Sequence, residues 1–297
     1  MKEVYYKIAG HCIGIRFADD RSNESLLPSF APFVSERDSE LLFEMTVDDA
    51  FRFEVRGEEV GQFDCGGSNF GVYRLPDGGY QYEISDLNGT ICACLEADAG
   101  FENNRVALMP GTDLRRGYGL NNALMLAYAF SSVEKGTLLM HASVVRNAGR
   151  GFLCLGKSGT GKSTHTQLWL RHIPGSELMN DDNPVVRYVN GETRVYGSPW
   201  SGKTPCYLDV EAPVGGFIRL EQKPENTICR EPVARAFASL WPSASNMKWD
   251  KRVCDGICNT LSHILAVTPV YMLGCRPDRE AAELCSKTVL GAWADVK

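Results

Sequence analysis

Gly156, Gly159, Gly161, Lys162 and Ser163 are spaced as G-x-x-x-x-G-K-S, with Thr164 next. Glycines at these places let the backbone turn its N–H groups inward around an anion, and a helix that begins there aims its positive end at the same point. Lys162 then reaches the β- and γ-phosphates of a nucleotide, and the Ser163 hydroxyl is placed to ligate Mg²⁺. The expected ligand is ATP with Mg²⁺, Mn²⁺ being the alternative ion. Ser158, Thr160 and Thr164 complete the residues expected to line it.

Phosphoryl transfer also needs an acid near the metal, usually at the end of a neighbouring strand. Asp181 and Asp182 follow Lys162 by 19 and 20 residues and end a strand-like run. One carboxylate of such a pair holds Mg²⁺ through water, and the other accepts a proton from an attacking hydroxyl or binds a second metal. The plainer reading of the pair is an exposed turn. His141 lies in an apolar strand, where a lone histidine is more often a hydrogen-bonded core group than a ligand. Arg116 precedes a helix, and Lys203 lies in a Gly- and Pro-rich loop. Each would neutralise an anionic group of substrate, or is a solvated surface charge. His165 and His172 read as helix surface, and Cys254-x-x-x-Cys258 lacks the second pair that a zinc site needs.

The elements that must position these residues are marked by periodicity. Gly151 to Leu155 is a short apolar strand before the glycine loop, and Thr164 to His172 is a helix after it. Thr137 to Val145 reads as one buried strand carrying His141. Val185 to Tyr188 and Thr193 to Tyr196 form a hairpin about Asn190-Gly191. Val214 to Leu220 and Pro269 to Leu273 are further strands; Ala234 to Leu240, Asp250 to Leu265 and Asp278 to Val289 are helices.

Upstream, from Val4 to Glu96, apolar residues alternate with polar ones. Phe43, Met45 and Val47 do so, as do Phe51, Phe53 and Val55, with turn signals between runs. This predicts an antiparallel β-rich region over residues 1–110. A nucleotide-binding domain follows over 111–297, and its first segment, Asp113 to Ser132, reads as helical in its second half, where Leu120, Leu124 and Tyr128 form one stripe. The whole is an α/β (α+β) chain.

At 297 residues, 44% hydrophobic and 23% charged, the sequence has ample material for a core. A net charge of −6 argues against a nucleic-acid surface. The eleven cysteines are scattered and odd in number, which suits buried reduced thiols. Nowhere do 18 apolar residues run together, and the first residues lack a signal-peptide core, so a cytoplasmic protein that does not enter membranes is expected. The oligomeric state is left open.

The order Met140, His141, Ala142, Ser143, then the loop to Thr164, then Asn180, Asp181, Asp182 resembles the phosphoenolpyruvate carboxykinase and HPr kinase/phosphorylase superfamily. The match covers roughly Arg115 to Lys203. The resemblance implies a P-loop-containing mixed-sheet core of carboxykinase type. It also implies a metal-binding or active-centre role for His141, with Asp181 and Asp182 as the acidic pair, the second a metal ligand or general base. The carboxykinases carry a metal-ligating lysine where this chain has Arg116, and a guanidinium does not ligate a cation. The expectation is therefore a kinase-like member, moving the γ-phosphate of ATP to a hydroxyl of a protein, peptide or small molecule. A nucleotide-binding regulator of little turnover and a carboxykinase-like enzyme are the alternatives.

Overall fold

The computed structural model describes residues 2–18, 23–65, 68–202 and 204–293. The chain divides into two packed units. The first holds Met1–Ser132 with Met247–Lys251, and the second holds Val133–Asn246 with Arg252–Lys297. Each contains a large mixed sheet, which makes the chain a mixed α/β protein.

The first unit contains β1 (Lys2–Ile8), β2 (His11–Phe17), β3 (Val34–Ser35), β4 (Phe43–Val47), β5 (Glu58–Cys65), β6 (Ser68–Arg74), β7 (Tyr80–Ser85), β8 (Ile91–Ala97) and β9 (Asn103–Leu108). They form one sheet in the order β3-β1-β2-β4-β9-β8-β7-β6-β5. Phe43, Met45 and Val47 are buried and Glu44 and Thr46 are half-buried, so the alternation builds an apolar face as expected. The sheet is not purely antiparallel, because β4 runs parallel to both β2 and β9. Alternation fixes which side chains face the core but not the direction of the neighbours. A second expectation also fails: residues 51–56 form no strand. There Phe51 packs edge-on against Phe53 and takes the Arg105 guanidinium over its ring, so local aromatic contacts replace a ladder.

Helix α1 (Asp113–Ser131) runs the full length of the segment expected to be helical only in its second half, with the Thr112 side chain capping its start. It packs on the first sheet against β8 and β9. Gly119 permits this approach, since a β-carbon there would lie 2.8 Å from Ala93 Cβ and 3.0 Å from the Cys92 carbonyl oxygen. The first unit therefore ends after Ser132, not near residue 110. It also recruits a later segment, in which Asp250 accepts from the buried Tyr80 hydroxyl at 2.9 Å and Met247 Sδ from the Tyr82 hydroxyl at 2.8 Å.

The second unit contains β10 (Thr137–Leu139), β11 (Ala142–Asn147), β12 (Arg150–Leu155), β13 (Glu177–Asp182), β14 (Val185–Val189), β15 (Glu192–Tyr196), β16 (Glu211–Gln222), β17 (Thr227–Arg230) and β18 (Val270–Cys275). The main path is β10-β14-β15-β16-β12-β11-β13, with β18 beside β16 and β17 beside β18. Strand β16 is parallel to β12 and β18, whereas β11 is antiparallel to β12 and β13. Helices α2 (Lys162–His172), α3 (Val233–Leu240), α4 (Lys251–Val267) and α5 (Arg279–Gly291) complete the chain. Phe152, Trp169, Ile218, Leu273, Cys285 and Val289 share one buried cluster that joins α2 and α5 to the sheet.

The run Thr137 to Val145, read from the sequence as one strand, is two. It breaks at Met140 and His141, and its halves lie at one end of the path and near the other. Two residues span that distance only because the sheet curls upon itself. The break is held from outside the run, by the His141 N–H donating to the Ser243 carbonyl at 2.6 Å. Cys12, Cys92, Cys94, Cys154, Cys206 and Cys285 are buried free thiols. Among the described residues no helix is long and apolar enough to cross a membrane.

Candidate active site

Strand β12 lies between β11 and β16 and delivers the chain to the glycine loop, after which α2 starts at Lys162. Gly156, Gly159 and Gly161 have φ of +152°, +81° and +107°, values that favour glycine. A β-carbon at Gly159 or Gly161 would meet nothing within 4 Å, so backbone conformation selects glycine there, not crowding. The loop is braced by Thr160, whose hydroxyl donates to the Lys157 carbonyl at 2.8 Å. Ser158 and Thr164 are exposed. Gln222, at the end of β16, places its Nε2 3.4 Å from the carbonyls of both Gly159 and Thr160, a contact with no motif to announce it.

Lys162 is buried, and its Nζ lies 2.7 Å from His141 Nε2 and 3.0 Å from the Gly156 carbonyl oxygen. His141 Nδ1 lies 3.0 Å from Asp182 Oδ1. With Lys162 as an ammonium, Nε2 must accept, which puts the ring proton on Nδ1 and aims it at the carboxylate. Asp182, His141 and Lys162 thus form one hydrogen-bonded line. Burial pulls the Lys162 amine below the ordinary lysine value, and the charges of Asp182 and Asp181 oppose that pull.

Beside this line, Ser163 Oγ donates to Asp181 Oδ1 at 2.9 Å. Asp181 is buried at the end of β13 and Asp182 is partly exposed. Asn180, fully buried, aligns this strand end: its Nδ2 donates to Ser198 Oγ at 3.1 Å and its Oδ1 accepts from the Asn183 N–H at 3.1 Å. Helix α2 is tied to β11 by Ser143 Oγ and Thr166 Oγ1, 2.9 Å apart.

A hydroxyl and a carboxylate oxygen side by side are the hard donors that Mg²⁺ takes alongside phosphates and water. The pair Ser163 and Asp181 therefore fits that ion. His141 does not join it in this arrangement, because both of its ring nitrogens are engaged by Asp182 and Lys162. Among the described residues no three His, Cys, Asp or Glu side chains gather into a metal cage of their own. Arg116 belongs to the first unit, where its Nη2 donates to Asp49 Oδ2 at 2.7 Å. Lys203 falls outside the described residues.

His165, expected on the helix surface, is buried instead. It lies four residues before Trp169, on one helix face, and Trp169 Nε1 donates to His165 Nε2 at 3.1 Å. Burial pulls its pKa from 6.5 down to about 4. The folded state thus excludes a proton that the unfolded chain binds below pH 6.5. The stability His165 contributes is whole above that pH, falls as pH drops, and is spent near pH 4. At 1.36 kcal/mol per pH unit the loss is about 3 kcal/mol. Urea midpoints between pH 7.5 and 4.5 should fall less steeply in His165→Gln than in the parent.

No family model matches the chain, and no curated protein does. Among solved structures it is similar to the HPr(Ser) kinase/phosphatase from Coxiella burnetii, with 14% identity and a TM-score of 0.32. That alignment covers 52% of this chain and 89% of the other.

Proposed function

We propose that this chain is an ATP-dependent phosphotransferase that moves the γ-phosphate to a hydroxyl acceptor, a serine of a protein or peptide or a small hydroxy compound. The observation that carries the reading is the unbroken line from Asp182 through His141 to Lys162, beside a glycine loop of positive φ. Asp182 takes the proton of the acceptor hydroxyl as its oxygen bonds to phosphorus and the bond to the ADP oxygen breaks. The His141 Nδ1–H steadies the Asp182 carboxylate. Lys162 and the loop amides neutralise charge on the transferring group, which is where such reactions gain most of their rate. Ser163 and Asp181 would hold Mg²⁺, which supplies further charge neutralisation when bound. Lys203 keeps the anion-binding role expected from the sequence, whereas Arg116, paired to Asp49, is given none.

The test is incubation of the purified chain with γ-labelled ATP, Mg²⁺ and a panel of serine peptides and small hydroxy compounds. Label on at least one acceptor is expected. Tight ATP binding without transfer to any of them would replace this reading with that of a nucleotide-binding regulator.

A further inference from the structure

We infer that Ser201 and Gly202 are positioning residues that clamp the Asp182 carboxylate against His141, a role that rests on the reading of Asp182 given above. Asp182 has φ of +141°, a conformation that side chains other than glycine rarely adopt. Such strain persists only where the surroundings over-determine it. Here Ser201 pairs with Asp182 in an isolated antiparallel bridge, and the Gly202 N–H donates to the Asp181 carbonyl. Ser201 Oγ lies 3.1 Å from that same carbonyl oxygen and 2.7 Å from that of Thr204, its single hydrogen serving one at a time.

Gly202 lies beside the acid, with no room to spare for a side chain of its own. A β-carbon there would lie 3.0 Å from Asp182 Cβ, 3.2 Å from Asp182 Cγ and 3.2 Å from the Asp181 carbonyl oxygen. A side chain at 202 fits only if Asp182 or the loop gives by a few tenths of an ångström. From the other side Asn183 Nδ2 donates to Asp182 Oδ2 at 2.9 Å, while Oδ1 faces His141. A relaxed extended φ would rotate the Cα–Cβ bond of Asp182 and carry the carboxylate off the imidazole. The strap prevents that rotation.

The full-length chain tests this in two independent ways. Gly202→Ala should lower kcat for phosphoryl transfer by roughly tenfold, less than the 10²-fold of a full ångström of misplacement because the acid is displaced by a few tenths, with KM for ATP changed less than about twofold. In an Asp182→Asn background the same change should cost almost nothing more, since it acts only through that carboxylate. An equal loss in both backgrounds overturns the clamp. The strain is read without activity: Asp182→Gly should melt about 2–4 °C above Asp182→Ala, reversing the usual disadvantage of glycine in an extended strand. Asp182→Ala proving the more stable of the two also overturns it. If the parent transfers phosphate to no acceptor, the proposed function fails while the order of the two melting temperatures still decides the clamp.

Discussion

Asp182→Asn is expected to bind ATP about as tightly as the parent and to transfer phosphate about 10³-fold more slowly. General-base catalysis by a positioned carboxylate contributes typically 10²–10⁴-fold. The amide is nearly isosteric, and its oxygen can still accept from His141 Nδ1, which lies 3.0 Å from the native Oδ1. The imidazole therefore keeps its orientation, and Lys162 keeps its contact with His141 Nε2. What disappears is the proton sink. Single-turnover transfer measured beside equilibrium ATP titration separates the two effects. Transfer at the parental rate would remove Asp182 from the chemistry.

Lys162→Met is the second large effect, and it acts on affinity and rate together. Removing one preorganised donor to developing charge costs about 10²–10³-fold in rate. ATP affinity should fall at least tenfold as well, since the ammonium also meets ground-state phosphate. Lys162→Arg should not rescue, because a planar fork does not fit where Nζ meets both His141 Nε2 and the Gly156 carbonyl. Fold stability should hold or rise in the methionine variant, since the native amine is desolvated in place. Because that desolvation lowers the amine's proton affinity, ATP binding by the parent should begin to weaken on the alkaline side below pH 10.5, the ordinary lysine value. Isothermal titration against thermal melts gives the contrast; methionine that leaves transfer intact would place the phosphates elsewhere.

The elements around these residues were legible where one local rule decided them. Strand β12 and helix α2 follow from an apolar run, a glycine loop and helix formers, and the β14–β15 hairpin from Asn190 and Gly191, whose φ values are +53° and +82°. Legibility ended where distant contacts decide. The run Thr137 to Val145 is apolar throughout, so nothing in it marks the break at His141, which a hydrogen bond to Ser243 holds. Phe51, Phe53 and Val55 alternate as well as Phe43, Met45 and Val47 do, yet only the second set finds neighbours on both sides. At the site, Gly156, Lys162, Ser163, Asn180 and the aspartates belong to motifs, whereas Ser201 and Gly202 act through contacts with the backbone of Asp181 and Asp182 that leave no pattern. His165 carried a signal that was open to reading, its spacing of four from Trp169.

The return of Met247–Lys251 to the first unit has a practical side for anyone dividing this protein. The two bodies are interleaved along the gene, so no single cut separates them. A fragment ending at residue 132 would lack Asp250 and Met247, leaving the buried Tyr80 and Tyr82 hydroxyls without those acceptors. Each such hydrogen bond contributes about 0.5–1.5 kcal/mol, and losing two of them takes a sizeable part of the roughly 5–15 kcal/mol that holds a domain folded. Severing the molecule cleanly calls for grafting that pentapeptide back on, for instance through a short linker after the first helix.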